Sequence, residues 1–290
     1  MISAGTVIEG GFRVVREHPA AVAIWGLVYL VLTIAGAFMM RSFMDPQAML
    51  DNMGSMMGQI FLFQLVTFAV FMVLMTAAMR SLLRPADKGI AYLGLGMDEL
   101  RVIAAALIMI ILFYGGIMLV AVLGGVLIAG GAAAGGVATA GVGVMVLVLA
   151  IIPLAIWLLV RFSLVAPLTL IRRKIVIGES WRLTRGHFWS LFGGYLVIAI
   201  IATIVSLLAG LASAGSYFAD MLGSMGNPEA MESAMQAQIA QLTELTPMTV
   251  LGWILTAAAG AFGIALYGGS SATAARELAQ DHDAMAETFA

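Results

Sequence analysis

The amino-acid sequence predicts an all-α fold, a polytopic membrane helix bundle with six transmembrane helices. The 290-residue chain is 62% hydrophobic and 10% charged, whereas soluble domains carry about 25% charged residues. A helix needs about 20 apolar residues to cross a bilayer, and six segments reach that length: 20–40, 59–80, 102–128, 142–166, 190–213 and 248–270. We therefore predict a single integral membrane domain over residues 1–290.

Lysine and arginine residues lie almost entirely on one side of these predicted spans. Six crossings put both termini on the same side, and 13 of the 14 basic residues fall there, with only Arg41 on the other side. Cytoplasmic loops of membrane proteins carry an excess of Lys and Arg. This asymmetry predicts that the N- and C-termini are both cytoplasmic.

Composition also argues against several classes of function. The chain has no cysteine, which excludes thiol catalysis, disulfides and cysteine-ligated metals. The predicted spans contain no Asp or Glu, the usual relays of ion-coupled pumps, and no basic patch suits nucleic acid. We expect no catalytic residues, no cofactor, no bound metal and no nucleic-acid partner. A metal site between His18 and His187 stays open as an alternative.

The stretch SWRLTRGHFW (180–189) is unusually polar for the middle of this chain. It directly precedes the fifth span, where Trp rings favour the headgroup level and Arg side chains meet lipid phosphates. It is predicted to form an interfacial helix that anchors the chain to lipid through Trp181, Arg182, Arg185 and Trp189. A specific lipid or partner site is the alternative interpretation.

Two parts of the chain match each other without a gap. FRVVREH (12–18) matches WRLTRGH (181–187) at a constant offset of 169 residues, and the same offset aligns DNMGSM (51–56) with DMLGSM (220–225). An ungapped double match indicates an internal duplication.

The duplication predicts three hairpin-like repeats, each with an interfacial helix, a span, an outer loop and a return span that ends in Arg. Their boundaries are about 8–86, 87–170 and 171–282. The last outer loop is 27 residues longer than the first. We predict that this insertion forms an extracytoplasmic helical segment at about 218–247.

Three further arginines are predicted to contact lipid. Arg13 and Arg16 occupy, in the first repeat, the places of Arg182 and Arg185 in the last. Arg161 is followed by ten more apolar residues, so it lies below the membrane surface. It either extends to the cytoplasmic headgroups or binds a lipid phosphate.

Methionine is concentrated in the outer loops. The last of these loops carries Met221, Met225, Met231 and Met235. Met side chains suit adaptable partner surfaces, so these four residues are predicted to form a partner surface. Thioethers also bind copper(I) when several converge, and that alternative stays open.

A tract of glycine and alanine, 123–144, joins the third and fourth spans and carries no charge. Small residues let helices approach closely in lipid, which predicts a tight hairpin near the outer surface. A re-entrant segment is the alternative.

The run RFSLVAPLTLIRRKIVIGESWRLTRGHFWSLFGGYLV (161–197) resembles the membrane domain attached to some bacterial glycerophosphodiester phosphodiesterases, and related six-span inner-membrane proteins. The matching positions are Arg161, Pro167, Ser180, Trp181, Leu183, Thr184 and Arg185. The resemblance implies a bacterial inner-membrane location. It also implies a membrane domain without an enzyme, because the phosphodiesterase chemistry of those relatives belongs to a separate barrel domain.

These observations predict a non-enzymatic inner-membrane protein that organises membrane lipid or docks another membrane protein as an accessory subunit. Its expected partners are membrane lipids, together with another membrane protein or a second copy of the chain. The alternative is a transporter or channel for a small or lipid-like solute. A cavity lined by polar groups would favour that alternative, and a tightly packed bundle with sealed glycine faces would favour the first function.

Overall fold

The computed structural model describes residues 2–42, 53–87, 89–223, 227, 231, 233 and 245–288. The helices in these residues are α1 (Ala4–Glu17), α2 (Pro19–Ser42), α3 (Met53–Leu83), α4 (Met97–Phe162), α5 (Val165–Arg172), α6 (Ile177–Leu183), α7 (Phe188–Gly223) and α8 (Pro247–Thr288). A short 3-10 turn at Ile90–Tyr92 precedes α4, and the described part of the chain contains no strand.

Six helical segments are long and apolar enough to cross a membrane. They are Pro19–Met39, Gly54–Leu83, Ile90–Gly131, Ala140–Arg172, Phe188–Ala212 and Pro247–Ala284. Each contains most of one predicted span. The prediction of an all-α, multi-pass membrane helix bundle is confirmed.

The last helix, α8, is the centre of the bundle. Helices α1, α2, α3 and α7 all pack against α8, and α2 contacts α8 much more extensively than it contacts α3. One core cluster surrounds Trp25, Leu74 and Ala265. A second surrounds Val7 and Leu191. Both clusters lie toward the end of the bundle that carries the basic residues.

Helices α1 and α8 approach each other closely because glycines face glycines. A Cβ atom at Gly269 would lie 2.5 Å from the carbonyl oxygen of Gly10, and one at Gly11 would lie 2.7 Å from the carbonyl oxygen of Leu266. These distances are shorter than van der Waals contact. Backbones meet directly here, as they do where small residues drive helix association in lipid.

The segment labelled α4 consists of two helical arms, which are joined by a turn at Gly136 and form a hairpin. This residue has φ 77° and ψ −172°, a conformation that is essentially restricted to glycine. On either side the arms are antiparallel. A Cβ at Gly124 would meet the Leu147 side chain at 2.5 Å, and one at Gly143 would meet Ile128 at 2.7 Å. The glycine and alanine tract therefore forms the tight hairpin that was one of its two predicted structures.

Most of the α4 hairpin is exposed or only partly covered in the part of the chain that the structure describes. Between 106 and 159, none of the residues whose exposure is described is buried. Leu119 is 61% exposed and Leu149 is 62% exposed. The hairpin is joined to the bundle at its base, where Val102 and Val160 are buried.

The structure differs from the predicted fourth span, 142–166, at its end. Helix α4 ends at Phe162 and a separate short helix, α5, begins at Val165. Leu168 and Leu170 of α5 are buried in the core. The apolar run after Arg161 therefore packs into the protein interior as a separate helix.

The two matched heptads occupy equivalent helix junctions. Helix α2 begins at Pro19 and α7 begins at Phe188, which are separated by the same offset of 169 residues. The N–H of Val22 donates to the carbonyl of His18, and the N–H of Leu191 donates to that of His187, each at 3.1 Å. The duplication itself, with its repeat boundaries, stays a prediction.

Replacing Gly269 by Ala tests the close contact between α1 and α8. The new methyl group meets backbone atoms that cannot move aside, so we expect the free energy of unfolding to fall by about 1–3 kcal/mol. Thermal unfolding of the full chain in detergent measures the change. Gly263→Ala on the same helix is the matched control, since a Cβ there has no neighbour within 4 Å. Equal stability of the two variants would contradict the backbone contact.

Candidate functional site

The turn before α4 is held in a strained conformation by the bundle. Ala91 (φ 54°) and Tyr92 (φ 59°) are both left-handed, which costs energy in residues other than glycine. The indole Nε1 of Trp25 donates to the carbonyl of Ala91 at 2.9 Å, and the Arg80 guanidinium donates to that of Tyr92 at 2.8 Å. The imidazole of His18 packs edge-on against the Tyr92 ring. This turn is therefore fastened to α2 and α3.

Arg80 and Glu99 form a buried ion pair between α3 and α4. Arg80 is 7% exposed and Glu99 is 4% exposed, and the guanidinium donates directly to the carboxylate. The second carboxylate oxygen of Glu99 accepts the N–H of Gly96 at 3.0 Å, which caps the first turn of α4. Both charges are thus paired and hydrogen-bonded, which compensates for their removal from water.

Arg84 extends this network to α5. Its guanidinium donates to the Asp98 carboxylate at 2.6 Å and also to the carbonyl of Leu170. The other oxygen of Asp98 accepts a hydrogen bond from Arg101 at 3.1 Å. We refer to Arg80, Arg84, Asp98, Glu99 and Arg101 as the polar clamp. The clamp lines a cleft of about 640 Å³ at the basic end of the bundle.

Sequence reasoning did not find the polar clamp. It counted Arg80, Arg84 and Arg101 only as basic residues near membrane boundaries. One signal was present: Asp98 and Glu99 stand at the start of an apolar run, where acidic side chains favour the N-terminus of a helix.

Arg161 lies beside two indole rings, those of Trp157 and Trp181, whose centres are 5.0 Å apart. Its guanidinium carbon is 5.4 Å from the ring centre of Trp157 and 5.2 Å from that of Trp181, within the range of cation–π attraction. It also donates to the carbonyl of Trp181 at 3.3 Å. Neither sequence interpretation of Arg161 included this internal contact, because spacing alone does not show that Trp157 and Trp181 converge.

The inner face of α6 holds this short helix against the end of α4. The Ser180 hydroxyl donates to the carbonyl of Arg161 at 2.9 Å. The Thr184 hydroxyl donates to that of Ser180 at 2.9 Å. Ser180, Leu183 and Thr184 are all buried. Ser180, Leu183 and Thr184 of the stretch 180–189 therefore have a packing role.

The other predicted lipid anchors differ in how far their side chains are exposed. Arg182, Arg185 and Arg16 are exposed, and Trp189 is 78% exposed. Arg13 is half-buried, with its Nε 3.9 Å from a carboxylate oxygen of Glu17. The structure thus separates Arg182 and Arg185, which face outward, from Arg161, which is engaged within the chain.

The predicted methionine surface falls largely outside the described residues. Met225 and Met235 lie outside them, and so does most of the predicted insertion, 218–247. Met221 lies in the last turn of α7, and Met231 is 44% exposed. In the described part of the chain, no group of three His, Asp or Glu residues is arranged to hold a metal ion.

An apolar groove of about 490 Å³ lies within the membrane-spanning part of the bundle. Helices α3, α4, α7 and α8 line it, with side chains that include Met75, Leu159, Tyr195, Ala199 and Tyr267. The groove is open to the surroundings at its rim, where Leu159 is 59% exposed and Tyr267 is 37% exposed. We call this cavity the intramembrane groove.

The two serine hydroxyl groups in the lining of the groove are satisfied by backbone, whereas the buried Tyr195 hydroxyl has no hydrogen-bond partner among the described residues. The Ser163 hydroxyl donates to the carbonyl of Val160 at 2.8 Å, and the Ser271 hydroxyl donates to that of Gly268 at 3.1 Å. Intrahelical bonds of this kind leave these hydroxyl protons unavailable to a ligand. The groove therefore presents mainly hydrocarbon to whatever occupies it.

A second, smaller groove of about 340 Å³ opens between the two arms of the α4 hairpin at their base. Met109, Phe113 and Leu158 line it, and it shares Leu159 and Ser163 with the intramembrane groove. The two apolar grooves are therefore neighbours on either side of one turn of α4.

No family model matches this sequence, and comparisons with curated proteins and with solved structures give no match either. The resemblance to the membrane domain attached to phosphodiesterases therefore stays a prediction carried by residues 161–197.

Replacing Arg80 by Leu tests the buried ion pair of the polar clamp. The change leaves the Glu99 carboxylate buried without its cation, so we expect the free energy of unfolding to fall by about 3–5 kcal/mol. Combining it with Glu99→Leu removes the unpaired charge and should recover most of the loss. Arg13→Leu is the control, because the pair of its half-buried guanidinium with the exposed Glu17 carboxylate, 3.9 Å apart, contributes at most about 1 kcal/mol. A double variant no more stable than Arg80→Leu alone would contradict this assignment.

Arg161 and Arg182 are expected to differ in their effect on stability. Arg161→Gln removes a cation that lies against two indole rings and should lower the free energy of unfolding by about 1–2 kcal/mol. Arg182→Gln removes an exposed cation and should change it by less than about 0.5 kcal/mol. Thermal unfolding in the same detergent compares the two. The internal position of Arg161 would be refuted by equal, small effects.

Proposed function

We propose that this chain is a non-enzymatic membrane protein that binds lipid and organises the bilayer around it. The observation that carries the proposal is the intramembrane groove, which lies among membrane-spanning helices and exposes the apolar rim residue Leu159 to the surroundings. Hydrocarbon chains are the molecules that such a rim meets in a bilayer. A lipid acyl chain is therefore the occupant that fits the groove.

Shape rather than hydrophobicity would govern binding in the groove. An acyl chain leaves one apolar environment for another, so it gains from close packing against the groove walls and little from leaving water. Flexible side chains such as Met75 and Met79 in the lining adapt well to a chain of variable conformation. This chemistry supports retention of a bound lipid more than it supports release of a solute.

The alternative of a transporter or channel has less support. A path for a polar solute needs polar or charged groups along it, and the lining of the intramembrane groove is mainly apolar. Toward the basic end, the groove reaches Ala166 of α5, and the buried core residues Leu168 and Leu170 follow. The packed bundle and its sealed glycine contacts agree better with a lipid-organising role.

The proposal includes a location and an orientation. It puts the protein in the inner membrane of a bacterium, which the resemblance over residues 161–197 implies. It puts both termini in the cytoplasm, which the asymmetry of Lys and Arg favours. The absence of enzymatic activity rests on the same resemblance, because the catalytic barrel of those relatives is a separate domain.

An accessory role in docking another membrane protein is the second candidate function. The α4 hairpin favours it, because both arms lie apart from the rest of the bundle and carry apolar side chains such as Leu119 and Leu149. Lipid, a partner protein or a second copy of this chain could cover these arms.

Ala199→Trp tests lipid binding in the groove. The indole fills space between α7 and α4, so we expect the purified full chain to lose at least one bound lipid in native mass spectrometry under mild detergent. Ala212→Trp, at an exposed position of the same helix, is the matched control and should keep the lipid. If the unmodified protein retains no lipid, or if both variants retain it equally, the proposal is wrong. Uptake of a polar solute by proteoliposomes would instead favour the transporter.

A further inference from the structure

Two groups can be distinguished among the basic residues of the described chain, and Arg161 and Arg276, which are half-buried, belong to neither. Those paired with a carboxylate are Arg13, Arg80, Arg84, Arg101 and Arg172. Among the described side chains, the exposed cations that form no ion pair are Arg16, Arg173, Lys174, Arg182 and Arg185. Four of these five lie in one segment, 173–185, which surrounds α6. Among the described residues, exposed cations without an ion pair are thus concentrated in one segment.

The only acidic residue in that segment does not neutralise it. Glu179 accepts a hydrogen bond from Arg172 at 3.0 Å, and Arg172 also pairs with Asp283 at 2.9 Å. The Glu179 carboxylate is therefore committed to a residue outside the group of free cations. The local charge of 173–185 stays strongly positive.

The two arginines of α6 and its C-terminal turn point away from the bundle. Ser180, Leu183 and Thr184 are buried on the inner face, whereas Arg182 and Arg185 are exposed. Arg185 lies in the turn that follows α6, where its N–H donates to the carbonyl of Arg182 at 3.2 Å. Two exposed guanidinium groups thus belong to one short segment, and none of the described residues occupies their side-chain donors.

Aromatic residues place this charged segment at the membrane surface. Trp189 is 78% exposed, and it follows the segment at the start of α7. Its ring centre is 6.0 Å from that of Phe192, which in turn stacks on Phe188 at 5.8 Å. Trp rings favour the level of lipid headgroups. We call Arg173, Lys174, Arg182, Arg185 and Trp189 together the α6 ledge.

We propose that the α6 ledge binds the phosphate groups of anionic phospholipid headgroups. Guanidinium groups match phosphate oxygens with paired hydrogen bonds, and free cations beside a membrane surface attract anionic lipids. The ledge uses none of the residues that line the intramembrane groove. It is therefore independent of the proposed function, and either site can fail without the other.

The test compares the binding of two lipids to the full chain in detergent. The protein is titrated with equal amounts of phosphatidylglycerol and phosphatidylcholine, and native mass spectrometry gives the ratio of the two bound species. Loss of one surface cation should lower this ratio about fivefold, and Arg182→Gln with Arg185→Gln should lower it roughly thirtyfold. Arg182→Lys with Arg185→Lys keeps the charge and should preserve most of the preference.

The control variant removes the same charge elsewhere. Arg276→Gln removes one arginine of α8 that lies outside the ledge, and Arg182→Gln alone is its comparison. This variant should keep the preference for phosphatidylglycerol within about twofold, because it leaves the four cations of 173–185 in place. Thermal unfolding of each variant confirms that the bundle is intact before the lipid ratios are compared.

Three outcomes would overturn the proposal. The first is an unmodified protein with no preference for phosphatidylglycerol. The second is an equal loss in Arg182→Gln and Arg276→Gln, which would assign the effect to total charge and leave orientation during insertion as the role of these cations. The third is displacement of the bound lipid by 10 mM sodium phosphate (about the concentration of an ordinary buffer), which would assign the ledge to a free anion.

Discussion

Direct backbone contact between α1 and α8 is the constraint on which the bundle depends. Gly10 and Gly11 of α1 meet Gly269 of α8 at distances that leave no room for a side chain. In lipid, apolar helices gain nothing by leaving water, so their association depends on packing of this kind. Helix α8 also contacts α2, α3 and α7, so this crossing joins α1 to the group of helices that surrounds α8.

Arginine serves three different purposes at the same end of this molecule. Arg80 is buried and neutralised by Glu99, and it fixes the strained turn that leads into α4. Arg161 is held by aromatic rings and a carbonyl, which joins α4 to α6. Arg182 and Arg185 are exposed and form no ion pair with the described residues. The difference arises from what each side chain meets, since all carry the same charge.

The sequence was sufficient to predict the class of fold and the approximate spans, because the length and polarity of each segment are local properties. It did not predict which spans touch. Arg80 and Glu99 are nineteen residues apart, and only the turn at Ala91 and Tyr92 brings them together. Likewise, the convergence of Trp157 and Trp181 on Arg161 depends on where α6 docks. The intramembrane groove is also a product of several helices, so no single segment encodes it.

The length of the α4 hairpin has a mechanical consequence. From Val102 to Gly136 its first arm carries no charged residue, and at 1.5 Å per residue this arm is about 50 Å long. The hydrocarbon layer of a bilayer is only about 30 Å thick. The arm must therefore lean over or insert its glycine-rich tip among the outer headgroups. Because the hairpin is joined to the bundle only at its base, its tilt can change with the thickness of the bilayer, while the core around α8 stays undisturbed.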